Sequence, residues 1–210
     1  MAGGKVERAL ISVYDKSGLE LLVTTLREYD VEVISSGGTS KKLRELGLNP
    51  IDVSNYTGFP ESPGGLVKTL HPKIHGGLLL NPDDSDHAAY MRAQKIGSID
   101  LLVLNLYPFE KVVKADPDNF AAAVENIDIG GPAMLRAGAK GALLHGSPAV
   151  VVDPGQYTAV VGELERTGGY FSQETVRALA ITAFSLVADY DNAINEYLAS
   201  RPNARGGSHV

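Results

Sequence analysis

Short apolar runs alternate with segments of helical period along most of this chain, and that alternation limits the available folds more than any other feature. Residues 9–13, 31–34, 99–106 and 149–152 are apolar and too short for a stable helix. Residues 49–53 are a further candidate strand. Between the runs, residues such as Leu19, Leu22, Val23 and Leu26 fall on one helical face. Helices are expected over 19–26, 40–46, 84–95, 120–125, 133–140, 156–165 and 174–197. Strands that are apolar throughout and separated by helices specify a mainly parallel sheet buried on both faces. The expected fold is α/β and three-layered, a parallel sheet flanked by helices with a C-terminal helical extension. Residues 77–80 read as extended, and 54–74, with Pro60, Pro63, Gly64, Gly65 and Pro72, as loop. One domain over 1–200 with a disordered tail over 201–210 is the expected organisation.

Ligands of such sheets sit beyond the carboxyl ends of the strands, so the residues just after each run matter most. The chain has 23 glycines, with doublets at Gly37-Gly38, Gly64-Gly65, Gly76-Gly77 and Gly130-Gly131 beside those junctions. Ser36-Gly37-Gly38-Thr39 lies between a strand and a helix, where free N–H groups and hydroxyls can cradle phosphate. It matches neither the dinucleotide fingerprint nor the Walker loop. Lys16 follows the first strand and can reach the same cradle. Lys68-Thr69 lies in the Gly/Pro-rich loop, Asn105-Leu106-Tyr107 ends the strongest strand, and Asp128 sits between two isoleucines just before Gly130-Gly131-Pro132. Lys140 reads as the end of the helix that follows.

Composition removes several chemistries. There is no cysteine, so disulfides, thiolate catalysis and Cys-ligated zinc are excluded. His71 and His75 have a metal-binding spacing only on a helix, and Pro72 between them opposes one; no metal and no cofactor are expected. A net charge of −6 argues against bulk attraction to nucleic acid or anionic lipid. No run approaches the 18 or so apolar residues of a membrane span, and residues 1–8 lack the apolar core of a signal peptide. The expectation is a cytoplasmic protein without nucleic-acid or membrane partners.

Taken in order, Ile11-Ser12-Val13, Ser36-Gly37-Gly38-Thr39, Tyr56-Thr57-Gly58-Phe59-Pro60-Glu61, the run from Val67 to Gly77 that begins Val-Lys-Thr-Leu-His-Pro, Asn105-Leu106-Tyr107-Pro108-Phe109 and Glu125-Asn126-Ile127-Asp128-Ile129-Gly130-Gly131-Pro132 are distinctive. With them the chain resembles the IMP cyclohydrolase domain of bifunctional purine biosynthesis enzymes, over about residues 8–198. The resemblance implies a methylglyoxal synthase-like fold. It also implies closure of the formylated imidazole carboxamide ribonucleotide (FAICAR) to inosine monophosphate (IMP), with loss of water and without a cofactor. Lys16, Ser36, Gly37, Gly38 and Thr39, with Ser12, would then hold the 5′-phosphate. Thr69, Asn105, Ile129 and Gly130 would contact the rest of the nucleotide. Lys140 would transfer the proton or stabilise the oxyanion, Lys68 would share that electrostatic role, Asp128 would accept or orient the amide proton, and Tyr107 would donate to the oxyanion. A homodimer is implied. The family's domain is usually fused to a formyltransferase domain, which does not fit in this length, so the chain is expected to be either a stand-alone cyclohydrolase, served by a separate formyltransferase, or a piece of a bifunctional protein.

Three positions depart from the family pattern: Leu66 stands where an arginine is usual, Tyr14 where a small residue is usual, and 141–146 reads as a rearranged loop after Lys140. The alternative reading is a purine-nucleotide-binding regulatory module on the same fold without turnover.

Overall fold

The computed structural model describes residues 2–201. The remainder of the expected tail, 202–210, lies outside the described residues.

The strands are β1 (Ala2–Lys5), β2 (Arg8–Val13), β3 (Glu32–Ser35), β4 (Ile51–Asp52), β5 (Leu101–Asn105), β6 (Ala149–Val151) and β7 (Tyr170–Ser172). The helices are α1 (Leu19–Glu28), α2 (Gly37–Glu45), α3 (Val53–Thr57), α4 (Pro72–Leu79), α5 (Ser85–Gln94), α6 (Phe109–Ala115), α7 (Phe120–Glu125), α8 (Gly130–His145), α9 (Tyr157–Thr167) and α10 (Gln173–Ala199). Single 3₁₀ turns lie at Pro63–Gly65 and Pro154–Gln156.

The central sheet has the order β4-β3-β2-β5-β6 and is parallel at every pairing. Leu101, Leu102, Val103 and Leu104 of β5 are all buried. Successive strand residues point to opposite faces, so both faces are covered, as the continuous apolar runs require. α8 packs on α4 and α10, and α1 packs on α9. The strand order reverses between β2 and β5, and the adjacent strand ends open a crevice there. Val13 of β2 pairs with Asn105 of β5 at that edge. The expected α/β class, the parallel sheet and the long C-terminal helix are all present.

Several local expectations are corrected. Residues 77–80 are not extended: α4 runs through Leu79. Pro72 does not oppose this helix but opens it at the first position, where its missing N–H is not needed. His71 caps the helix, its Nδ1 accepting from the Lys73 amide at 3.1 Å. The stretch 54–74 is therefore only partly loop, because α3 and the start of α4 lie in it. Residues 141–146 form no rearranged loop: α8 continues to His145 and stops at Gly146, whose φ of 81° supplies a left-handed cap. Lys140 is thus inside α8. An antiparallel ribbon of β1 and β7 goes beyond the expected strands, since the sequence Ala2-Gly3-Gly4-Lys5 has low β propensity.

Candidate active site

A hollow of about 230 Å³ opens at the crevice between β2 and β5. Ser12 and Asn105 line it from the strand ends, Lys68 and Thr69 from the loop before α4, and Asp128, Ile129 and Gly130 from the turn that starts α8. Seven residues anticipated from sequence are thereby brought to one place.

Lys68 joins this hollow to the Ser36 turn. Ser36 is the extended residue before α2, and Gly37 has a φ of +54°, which an L-residue adopts only under strain. A β-carbon on Gly37 would stand 3.6 Å from the Lys68 Nζ, so the ammonium group lies against the turn. Among the described residues, no carboxylate pairs with Lys68. The first intrahelical bond of α2 comes from the Ser40 amide, leaving the amides of Gly37, Gly38 and Thr39 for an anion. The Thr39 hydroxyl, by contrast, is committed to the fold: it accepts from the Val13 amide at 3.1 Å and donates to the Val13 carbonyl at 2.9 Å.

The opposite wall depends on the absence of side chains. Asp128 Oδ1 accepts from the Gly131 amide at 2.9 Å, capping the first turn of α8. A β-carbon on Gly131 would overlap the Asp128 carboxylate and come within 2.7 Å of Leu106. One on Gly130 would stand 2.5 Å from the Thr69 hydroxyl oxygen. The doublet is thus a close-approach device that lets the loop carrying Thr69 and the carboxylate of Asp128 both touch the helix start. His75 sits behind Thr69. Burial pushes its pKa down, and the Thr69 carbonyl, which favours the charged form, only partly offsets this.

The other anticipated residues are not in this hollow. Lys16 and Tyr107 line a larger one of about 910 Å³ between the Tyr14–Lys16 loop, the end of β5 and α10. Lys16 does not reach the Ser36 turn; its Nζ donates to the Tyr14 carbonyl at 3.1 Å. Tyr107 packs edge-on against Tyr14, with ring centroids 4.6 Å apart. Asn105 borders both hollows, but most of its amide is engaged. Its Oδ1 accepts from the amides of Tyr14 (2.7 Å) and Asp15 (2.9 Å), and its Nδ2 donates to the Asp15 carbonyl at 2.9 Å. It clamps the loop after β2. Lys140 lies in a third depression, with Leu79, Arg136, Leu143, Leu144 and Phe184. It is ten residues beyond Gly130 on α8, roughly 15 Å along the axis at about 1.5 Å per residue. Lys140 and Lys68 therefore do not share one hollow, and among the described residues Lys68 is the one ammonium group lining this one.

Leu66, marked in the sequence as standing where an arginine is usual, and the Gly64-Gly65 doublet also line the hollow. Leu66 is 74% exposed at the hollow's wall. Tyr190 is missed entirely: its hydroxyl accepts from the Asp128 amide at 2.8 Å from 62 residues away, which no local pattern announces.

The fold agrees with its relatives. Residues 18–133 match the MGS-like domain family. The chain belongs to that family. Residues 142–209 match the AICARFT/IMPCHase bienzyme family. The chain is 52% identical over 194 residues to the bifunctional purine biosynthesis protein PurH of Mesorhizobium japonicum, covering 92% of this chain and 35% of that protein. It is 44% identical over 210 residues to PurH of Chlorobium phaeobacteroides, covering 100% of this chain and 39% of that protein. The chain spans little more than a third of the length of these curated relatives. The crystal structure of ForH is similar at a TM-score of 0.78 and 33% identity, covering 91% of this chain and 98% of that one. No helix among the described residues is long and apolar enough to cross a membrane.

Proposed function

We propose that this chain is an IMP cyclohydrolase that closes FAICAR to inosine monophosphate. The observation that carries the reading is the position of Lys68, an unpaired ammonium lying against the Ser36 turn and lining the hollow that holds Asp128. The PurH names of the relatives support the same substrate class.

In this reading the Ser36 turn takes the 5′-phosphate through the Gly37, Gly38 and Thr39 amides, with Ser12 near it, and the imidazole lies between Lys68 and Asp128. The carboxamide nitrogen attacks the formyl carbon, forming the new C–N bond and giving up one proton toward Asp128. Lys68 stabilises the charge that grows on the formyl oxygen. That oxygen then leaves as water after taking up two protons, the carboxamide proton passed on from Asp128 and the one that the formamido nitrogen loses. Nucleophile and electrophile belong to one molecule, so the protein's main task is orientation, worth up to roughly 7–11 kcal/mol in favourable cases. Thr69, Ile129 and Gly130 shape the wall against which the ring is held.

The protein works in the cytoplasm as a homodimer, with the formyl group supplied by a formyltransferase. The exposed apolar side chains of α8 and α10 support the pairing: Leu143, Leu144 and Ile181, with Leu144 66% exposed. Lys140 is on this face, and a Leu144→Glu variant that remained a dimer by light scattering would refute the pairing there.

Leu66 favours a second reading, nucleotide binding without turnover, because among the described residues no second cation lines the hollow's wall. Mixing the purified chain with FAICAR separates the two. The first predicts continuing growth of purine absorbance at substoichiometric protein; the second predicts none, with saturable binding of IMP. Leu66→Arg is expected to tighten IMP binding without creating turnover where none existed.

A further inference from the structure

We infer that Tyr190, on the C-terminal helix, is a positioning residue for Asp128; the inference rests on the role of Asp128 proposed above. The turn between α7 and α8 is lightly held. The Ile127 amide donates to Val124 at 3.2 Å, and the next backbone contact within it is the Ala133 amide to Ile129, also 3.2 Å. Between them, the Asp128 amide donates to the Tyr190 hydroxyl at 2.8 Å, and the Asp128 carboxylate caps the Gly131 amide at 2.9 Å. Asp128 is thus pinned at two points, its carboxylate by its own helix and its backbone by Tyr190.

Tyr190 is itself firmly seated. It is 8% exposed and belongs to a second apolar cluster with Phe109, Ala123 and Tyr197, packed by Leu106, Phe120 and Ile127. Its ring meets Phe109 edge-on at 6.3 Å. α6, α7 and the second half of α10 thus meet in this cluster, and the Tyr190 hydroxyl carries a hydrogen bond from it to the turn that bears Asp128. Burial raises the phenol's pKa, so the group stays neutral and the bond does not titrate in the working range. The same ring borders the larger hollow, which extends the rigid support from that side to the turn.

Tyr190→Phe tests this, because it removes one oxygen and keeps the ring. The Asp128 amide would lose its partner in a partly buried position, and the turn would sample other geometries. The expected result is a kcat about tenfold lower with KM within about twofold, faster hydrogen exchange at the Asp128 amide, and an unchanged pH profile. In an Asp128→Asn background, Tyr190→Phe should add little, since both act through one group. A wild-type kcat in Tyr190→Phe overturns the inference, as does an equal, independent loss on top of Asp128→Asn. Unchanged exchange at the Asp128 amide overturns it even if activity falls. Full activity in Asp128→Asn alone would overturn the proposed role of Asp128 and the inference with it, an outcome distinct from an inactive Asp128→Asn beside a normal Tyr190→Phe.

Discussion

Replacing Gly131 with alanine should be destabilising and inactivating, against the usual trend. Alanine in place of a helical glycine normally gains about 0.5–1 kcal/mol. At Gly131 the new β-carbon would overlap the Asp128 carboxylate and press on Leu106 at 2.7 Å. Overpacking of this kind costs about 1–3 kcal/mol. Displacing the carboxylate also breaks its bond from the Gly131 amide, worth about 1.5–3 kcal/mol because the acceptor is charged. The net expectation is a loss of about 2–4 kcal/mol, or roughly 5–15 °C in melting temperature for a chain of this size, together with a large fall in cyclisation rate. Gly162, exposed on α9 with nothing within 4 Å of where an alanine methyl would stand, is the control and should gain about 0.5–1 kcal/mol as alanine. Urea denaturation followed by circular dichroism, with the absorbance assay in parallel, reads both. A Gly131→Ala protein as stable and as active as wild type would refute the close-approach reasoning.

Gly37→Ala imposes a β-carbon at φ +54°; the backbone strain should cost about 1 kcal/mol of stability and, by shifting the turn, weaken IMP binding severalfold in a calorimetric titration. Asn105→Ala removes three hydrogen bonds to the loop after β2 and should lower stability by about 1–3 kcal/mol. A raised KM at unchanged stability would show that Asn105 grips substrate and is not a clamp. Burial lowers the pKa of His75 and His145 below the ordinary 6.5, so the unfolded chain binds more protons between the native and ordinary values. Their contribution to stability is full above about pH 6.5 and is lost as pH falls toward the native values; His75→Gln should flatten the urea midpoint between pH 7 and pH 5, and an unchanged slope would contradict this.

The sheet is readable because its strands are buried on both faces, so Leu101 to Leu104 and Ala149 to Val151 are apolar at every position. The Ser36 turn and the Gly130-Gly131 doublet are readable because backbone exposure and close approach demand glycine and hydroxyl residues in sequence. The run Gly77-Leu78-Leu79-Leu80 reads as extended and is helical through Leu79. Its glycine serves packing: a β-carbon on Gly77 would stand 2.7 Å from the Gly97 carbonyl oxygen, so helix α4 can lie directly on the segment before β5. Tertiary contact, invisible locally, decides the element. Lys140 is close to Asp128 along the chain, but nearly three turns of uninterrupted helix carry it away from the hollow. Asn105 ends β5 and Thr39 lies in the first turn of α2 just after β3, where the sequence places them, yet their polar atoms are spent on neighbouring backbone, which residue type alone does not reveal. Tyr190 reaches Asp128 only because α10 packs back onto α8 and α6, a contact with no local signature.

The most direct test is the mass of the nucleotide recovered after FAICAR is incubated with a catalytic amount of the purified chain, wild type beside Lys68→Ala. Many equivalents of a product lighter by one water, formed by wild type and nearly absent with Lys68→Ala, are the expected result. FAICAR recovered intact, or a yield that Lys68→Ala leaves unaltered, would contradict the assignment of ring closure to the hollow between Lys68 and Asp128.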